Sequence, residues 1–301
     1  MLPTIIVITF LQSIFFKIFH LNSRKLQEKG VSARGVVFCQ RFAILPALVF
    51  FAFQYNHATA MSIVSDPKMF LMLLGIMWFR IVGQYVGFVL LNATYSLSFL
   101  YIIEEVINVP ILIVFGILVN KDIPNPYVIL SLLFLLAAIF FRPTQHTENK
   151  RSTLKYSLPI IILFVVMVTV AHAVDGSFYR EFLTTFDDKI LFIISIYILI
   201  TSIMMNIFSY AKKIPQSEIA IIKKNRYIAL AIPLFRFIAS LPEGFSYANI
   251  PVYSIVSISS ITFLITMFSD IKNKRIRLDY KTVVFCILAI LNIVFFYVSL
   301  R

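Results

Sequence analysis

Residues 69–91 read MFLMLLGIMWFRIVGQYVGFVLL, an apolar run whose single charge is Arg80. A helix needs about 20 mostly apolar residues to cross a hydrocarbon layer of roughly 30 Å, so this run is long enough to span a membrane. Similar runs, separated by polar or Pro-rich breaks, recur along the whole chain. Their approximate limits are 2–19, 35–54, 68–91, 93–119, 126–142, 156–176, 189–210, 227–247, 252–269 and 280–300. Because a bilayer offers the backbone no water, we expect an all-α polytopic membrane protein with ten transmembrane helices.

The composition favours the same class of protein. Of the 301 residues, 60% are hydrophobic and only 14% are charged, and the mean hydropathy is +0.90. The net charge of +13 does not indicate nucleic-acid binding, because the basic residues cluster in short links between apolar runs rather than on a folded domain with aromatic side chains to stack bases. We therefore expect the lipid bilayer, and no nucleic acid, as a partner. The first run lacks a basic segment and a small-residue cleavage site, which favours a first span over a signal peptide.

The distribution of Lys and Arg predicts the orientation. The links after spans 1, 3, 5, 7 and 9, together with the span ends that flank them, hold 18 of the 27 basic residues, whereas the opposite side holds five. The positive-inside rule then puts the odd-numbered links in the cytosol and both termini outside. The expected location is a plasma membrane, or the inner membrane of a bacterium.

The two halves of the chain repeat a pattern. Each half carries an apolar block with a central Arg, and a polar Asn- and Tyr-containing block follows about a dozen residues later; the blocks are 78–81 and 92–95, then 234–237 and 247–250. Halves of five spans each must insert with opposite orientation, because five is odd. We therefore predict two inverted repeats, 1–142 and 156–301, joined by a basic connection at 143–155, an architecture that alternating-access transporters use.

Residues 93–125 carry a family resemblance. Small residues in Ala93-Thr94-Tyr95-Ser96 precede a mid-helix Pro110, and the apolar run ends in the polar turn Asn120-Lys121-Asp122. This stretch resembles the fourth helix of the EamA-type members of the drug/metabolite transporter superfamily. Arg41-Phe42 and Lys17 also stand where the family often has such residues. The resemblance implies ten helices in two inverted five-helix repeats and secondary transport of a small metabolite.

Several ionisable residues fall inside predicted spans, where each charge costs about 2.5–3.5 kcal/mol on insertion scales. Arg80 lies near the centre of span 3, and Glu104 and Glu105 lie near the centre of span 4. A short turn joins these spans, so an ion pair is geometrically plausible. Adjacent residues are about 100° apart on a helix, so one Glu can pair while the other faces a cavity and couples transport to protons. A purely structural salt bridge is an equal alternative.

Arg236 is the counterpart of Arg80 in the second half, and its planar guanidinium suits a carboxylate or phosphate. The alternative is a pairing with Glu104 or Glu105 across the repeat interface. His172 and Asp175 are three residues apart and so share a helix face. They favour a proton relay or an interfacial polar pair over a metal site, which would need more ligands.

Other residues allow more than one interpretation. Lys17 lies near a span end and either reaches the headgroups or enters the site, whereas Arg41 is expected to reach the headgroups. Tyr101 is a candidate for the cavity lining. The motif Gly83-x-x-x-Gly87 permits close helix packing, either within the monomer or in a homodimer.

The chain has no Gly-rich phosphate loop, zinc-protease signature or Asp-rich prenyltransferase motif, so we expect no enzyme, cofactor or metal. The leading hypothesis is a secondary active transporter, as exporter, importer or exchanger. Its small-molecule substrate would be a polar or anionic metabolite such as an amino acid, a nucleotide-related compound or an S-adenosylmethionine-like solute. The alternatives are a flippase for a lipid-linked intermediate and a non-transporting membrane subunit that binds a partner protein.

Overall fold

A computed structural model describes the chain over residues 2–53, 65–92, 110–119, 123–141, 154–182, 214–250, 263–274 and 276–299, with Asn108, Lys121, Ile203, Ile255 and Ile258. The regular elements of these residues are helical, which confirms the all-α class. The helices are α1 Leu2–Glu28, α2 Ala33–Gln40, α3 Ile44–Phe53, α4 Pro67–Asn92, α5 Pro126–Phe140, α6 Leu154–Phe182, α7 Gln216–Lys224, α8 Arg226–Asn249, α9 Phe263–Lys272 and α10 Tyr280–Ser299.

Three of these helices are long and apolar enough to cross a membrane, namely those containing Thr4–Glu28, Phe70–Leu90 and Tyr280–Ser299. Two further apolar stretches, Pro126–Ala138 and Pro159–Val174, are shorter. These helices indicate a multi-pass membrane protein. The limits of α4, α5, α8 and α10 agree with the predicted spans within about two residues, whereas α1 and α6 run beyond theirs. Most of span 7 and parts of spans 4 and 9 lie outside the described residues.

The outward surface of α10 is apolar. Val283, Ile287, Ile290 and Val294 are exposed at helical spacing, while the opposite face buries Phe285 and its neighbours Ala289, Asn292 and Phe296. A continuous apolar face of this kind would promote aggregation in water, but it suits contact with lipid chains. The outward face of α10 is therefore compatible with a position in a bilayer.

The starts of α4 and α5 have the same local cause. The Oδ1 atom of Asp66 accepts from the Lys68 amide at 2.9 Å, and the Oδ1 atom of Asn125 accepts from the Tyr127 amide at 3.0 Å. A Pro follows each capping residue as the first residue of the helix. Proline has no backbone N–H, and at this position an N–H would have no acceptor within the helix. An Asx-Pro pair therefore begins each helix.

The end of α1 is a Schellman turn. Gly30 adopts φ +98, its amide donates to the Gln27 carbonyl at 2.9 Å, and the Val31 amide donates to the Leu26 carbonyl at 3.3 Å. Val31 and Leu26 are both buried, which completes the hydrophobic contact of this motif. The turn reverses the chain, and Ser32 then caps α2 by accepting from the Gly35 amide at 3.3 Å.

Span 2 was predicted as one helix over 35–54, and this prediction was wrong in detail. A 3-10 turn at Arg41–Ala43 separates α2 from α3. The physical reason is Pro46, which cannot donate to the carbonyl of Phe42 and whose ring would crowd that carbonyl. The backbone tightens at this point instead of continuing as a regular α-helix.

Three pairs of helices make the most extensive contacts: α1 with α8, α4 with α6, and α5 with α10. In the first pair Thr9 meets Ser246 and Phe15 stacks on Phe235, so the two helices are antiparallel. In the second pair Gly83 faces Val168 and Gly87 faces Phe164, which is also an antiparallel arrangement. Helix α2 contacts α1, α4 and α8 and so joins the first two pairs.

Candidate functional site

The side chain of Arg236 lies in the interface between α1 and α8. Its Nη1 atom donates to the Ser240 hydroxyl at 2.7 Å, and that hydroxyl donates to the Arg236 carbonyl at 3.0 Å. The guanidinium carbon is 4.7 Å from the centre of the Phe16 ring, within cation–π range. A hydroxyl one turn away and an aromatic ring on the neighbouring helix therefore orient the guanidinium.

Lys17 was interpreted as either a site residue or a residue that reaches the headgroups, and its burial argues against the second role. Only 4% of Lys17 is exposed, compared with 8% of Arg80 and 6% of Arg236. The charges of Lys17 and Arg236 both act on His20, one turn further along α1. The His20 ring packs on Phe19 at 4.7 Å and approaches Phe88 at 6.2 Å. Three basic side chains therefore share the region where α1 meets α8 and the end of α4.

Arg80 lies in α4, beside the close contact with α6. A Cβ atom at Gly83 would lie 3.4 Å from Val168, and one at Gly87 would lie 3.0 Å from Phe164. The Gly83-x-x-x-Gly87 motif thus serves a contact within the monomer. These contacts define an antiparallel register between α4 and α6. One turn before Gly83 in α4, Arg80 therefore lies at the level of half-buried His172 in α6.

Lys17, Arg80 and Arg236 lie at similar depth. Gln27 donates to the Phe88 carbonyl at 2.8 Å, so the ends of α1 and α4 are level there. At 1.5 Å per residue, Lys17 is about 15 Å deeper than Gln27, and Arg80 is about 12 Å deeper than Phe88. Arg236 contacts Phe16, the neighbour of Lys17. We call Lys17, Arg80 and Arg236 the basic layer; it lies about 12–15 Å along the helices from the level of Gln27 and Phe88.

The remaining predicted residues are placed only in part. Tyr101, Glu104 and Glu105 lie outside the described residues, so the ion pair with Arg80 stays a prediction. Asp175 belongs to α6, but its side chain is likewise outside the description, and the pair with His172 also stays a prediction. Arg41 was expected to reach the headgroups. It is half-buried, its guanidinium carbon lies 3.7 Å from the centre of the Phe38 ring, and contact with headgroups stays a prediction.

Sequence reasoning missed three glutamines and one histidine. Gln12 and Gln40 are buried, and Gln84 is half-buried. The side-chain oxygen of each, and the side-chain nitrogen of Gln40, are shielded from solvent and have no hydrogen-bond partner among the described residues. Buried amides normally have partners, because an unpaired polar group costs free energy. A polar residue inside an apolar run is the signal that could have identified Gln12, Gln40 and Gln84, whereas His20 directly follows the first predicted run.

No family model matches the chain, and no curated protein matches it. The resemblance of residues 93–125 to EamA-type transporters therefore stays a prediction. Within the described ranges, no three His, Cys, Asp or Glu side chains come together as metal ligands would.

Proposed function

We propose that this protein is a ten-span secondary transporter of the drug/metabolite transporter type, built from two inverted five-helix repeats, and that it moves a small anionic metabolite. The observation that carries the proposal is the burial of Arg80 and Arg236 at matching positions of α4 and α8, within a layer that also contains Lys17. Each charge costs about 2.5–3.5 kcal/mol in the centre of a bilayer. Three basic side chains at one depth therefore favour a functional role such as ligand binding.

The burial pattern of α4 and α8 supports the repeat. When Arg80 is aligned with Arg236, a small residue follows three positions later in each helix and a polar residue four positions later. The buried positions then coincide in five aligned pairs: Ile76 with Ile232, Met77 with Pro233, Arg80 with Arg236, Ile81 with Phe237, and Gly83 with Ala239. The helix contacts also agree with the predicted repeat. In that repeat α1 corresponds to α6 and α8 corresponds to α4, and both the α1–α8 pair and the α6–α4 pair make extensive contacts.

The fifth span of each half gives independent support. Asn292 of α10 donates to the Ser131 carbonyl of α5 at 2.7 Å, and Phe134 stacks on Phe295 at 5.2 Å. These contacts join the fifth predicted span of one half to the fifth predicted span of the other. The turns before the two helices also share a feature, since Lys121 and Lys274 both have positive φ, at 56 and 54.

The chemistry of the basic layer favours an anionic solute. A guanidinium held by Ser240 and Phe16 can offer two parallel donors to a carboxylate or phosphate, and Lys17 adds a nearby charge. In a poorly hydrated interior these charge-assisted hydrogen bonds are stronger than in water. Amino acids, nucleotide-related compounds and similar metabolites carry such groups. The positive-inside rule would put the end of the bundle with the exposed basic residues in the cytosol of a plasma or bacterial inner membrane.

A thermal-shift screen of the purified protein against anionic and neutral metabolites tests the site. A ligand at about 100 times its Kd stabilises the bound state by about 2.7 kcal/mol, so a raised unfolding temperature identifies it. We expect an anionic metabolite to stabilise the protein and Arg236→Ala to abolish the effect. Arg236→Lys keeps the charge but loses the paired donors, and it should retain part of the effect. Lys68→Gln, at an exposed position, is the matched control.

Flux in proteoliposomes tests the function. We expect uptake or exchange of the stabilising metabolite, and its loss when Arg80 and Arg236 are both replaced by Gln. Unchanged flux in that double variant would contradict the site. If no soluble compound stabilises the protein or crosses the membrane, a flippase assay with labelled lipid and a pull-down for partner proteins decide between the two alternatives.

A further inference from the structure

Helix α7 is docked onto the start of α2 at one end of the bundle. The Glu218 carboxylate accepts from the Ser32 amide at 3.0 Å and from the Ser32 hydroxyl at 2.8 Å. A Cβ atom at Gly35 would lie 2.6 Å from the same carboxylate, so a side chain at this position would displace it. Ile221 also lies on Gly30, 3.5 Å from its notional Cβ. The connection before α8 is therefore fixed against the connection after α1.

The end of α9 is tied to the same place. Arg24 near the end of α1 lies 3.2 Å from Glu28 and 3.5 Å from buried Asp270. Three connections that are far apart in sequence thus meet at one end of the bundle, which we call the basic end. It comprises residues 24–35, 216–226, 270–274 and 276–279.

The outward charge of the basic end is positive. Its exposed basic side chains come from all three connections: Lys25, Lys29, Arg34, Lys223, Lys224, Arg226, Lys272, Lys274 and Arg277. The acidic side chains described there are engaged internally. Glu218 binds Ser32, Asp270 and Glu28 face Arg24, and Asp279 caps α10 by accepting from the Thr282 amide at 2.9 Å. Of these carboxylates, Glu28 remains 44% exposed, but the exposed basic side chains outnumber it, so the surface is predominantly basic and open to an anionic partner.

Exposed aromatic and apolar side chains adjoin the charges. Tyr227, Leu278 and Tyr280 are each more than two-thirds exposed, and they follow Arg226 and Arg277 in the chain. The Arg226 guanidinium donates to the Tyr227 hydroxyl at 3.3 Å. Tyrosines next to basic residues at the ends of apolar helices are typical of the headgroup level of a membrane. The basic surface is thus continuous with the surface that faces lipid chains.

We propose that the basic end binds the phosphate headgroups of anionic phospholipids in the surrounding leaflet. Basic residues near a membrane surface attract such lipids over about one Debye length, and several residues held together add their contributions. The hydrogen bond between Glu218 and Ser32 and the ion pair between Arg24 and Asp270 hold the three connections together. Their basic side chains therefore lie on one face of the molecule. Anionic lipid therefore stabilises the assembled basic end. The proposal does not depend on what the protein transports.

The test uses the full-length protein in bilayers of phosphatidylcholine, alone or mixed with increasing phosphatidylglycerol, with the unfolding temperature as readout. The variant is Lys223→Gln, Lys224→Gln and Arg226→Gln together, at exposed positions that should not disturb folding. We expect phosphatidylglycerol to stabilise the wild type, and the variant to need about tenfold more of it for half the effect. High salt should weaken the stabilisation.

Two controls make the result specific. Replacing the same three residues with Lys223→Arg, Lys224→Arg and Arg226→Lys keeps the charge and should preserve the lipid effect. Lys68→Gln removes a charge at the other end of α4 and should also preserve it. The proposal is overturned if phosphatidylglycerol does not stabilise the wild type more than phosphatidylcholine does, or if the Gln variant responds equally. It is also overturned if inorganic phosphate in phosphatidylcholine bilayers reproduces the effect, because the site would then bind a free anion.

Discussion

At the scale of single residues, Ser240 controls the orientation of Arg236. The hydroxyl accepts from Nη1 of Arg236 and donates to the Arg236 carbonyl, so it links the guanidinium to its own helix. A guanidinium in a fixed orientation loses less entropy when it binds an anion than a mobile one does. Phe16 keeps the other side of the group apolar.

We expect Ser240→Ala to weaken binding of the anionic solute by roughly tenfold, because a hydrogen bond to a charged group is worth about 1.5–3 kcal/mol. The measurement is the concentration dependence of the thermal shift. Ser23→Ala is the matched control, since the Ser23 hydroxyl is buried but donates only to the Phe19 carbonyl of its own helix at 2.9 Å. Equal effects of the two substitutions would contradict a positioning role for Ser240.

Gln40 is a candidate for direct contact with the solute, because its side-chain amide has no hydrogen-bond partner in the described protein. Its oxygen and nitrogen have no hydrogen-bond partner among the described residues. Gln40→Leu should leave the stability of the solute-free protein unchanged or raise it by about 1 kcal/mol, because it removes buried polar atoms. The same variant should lower solute affinity. A large loss of stability without solute would show that the amide serves packing instead.

At the scale of helices, two glycines of α4 set the distance to α6. A Cβ atom at Gly87 would lie 3.0 Å from Phe164, whereas one at Gly75 would meet nothing within 4 Å. We expect Gly87→Leu to lower the free energy of unfolding by about 1–3 kcal/mol, the usual cost of overpacking, and Gly75→Leu in the same helix to do no such harm. Urea or thermal unfolding in a fixed detergent measures both. Similar losses would contradict the role of the α4–α6 contact, because Leu has a better helix propensity than Gly and should not destabilise α4 at Gly75.

At the scale of the whole molecule, contacts at the basic end join the two halves of the chain. Ser32 and Arg24 belong to the first half, and Glu218 and Asp270 belong to the second. These contacts hold the described parts of the two halves together at the basic end. A transporter that alternates its access must loosen one end at a time, so the stability of these contacts bears directly on the proposed cycle.

We expect Glu218→Gln to increase amide hydrogen exchange at Ser32 and its neighbours by about tenfold, because a charge-assisted hydrogen bond becomes a neutral one. Glu28→Gln is the control, since Glu28 is 44% exposed and its ion pair with Arg24 should contribute less than about 1 kcal/mol. Mass spectrometry of the peptides around residue 32 measures both. If Glu28→Gln loosens the end as much as Glu218→Gln does, the docking of α7 does not hold the halves together.

Much of the fold could be predicted because membrane helices form from local information. A run of apolar residues must satisfy its backbone hydrogen bonds internally, so the limits of α4, α5, α8 and α10 follow from composition and from Asx-Pro starts. The break after Gln40 was missed, although Pro46 was visible. Helix α7 was missed because it is too short and too polar to resemble a span.

The sequence alone determined that the chain is rich in apolar helices and that two of them, α4 and α8, each contain a central Arg. Only the tertiary structure decided that α1 pairs with α8, that Lys17 points inward, and that Gln40 is buried. The physical reason is that hydropathy specifies which residues are helical but not the rotation of each helix about its axis. That rotation depends on side chains far apart in sequence, such as Phe16 against Arg236 and Glu218 against Ser32.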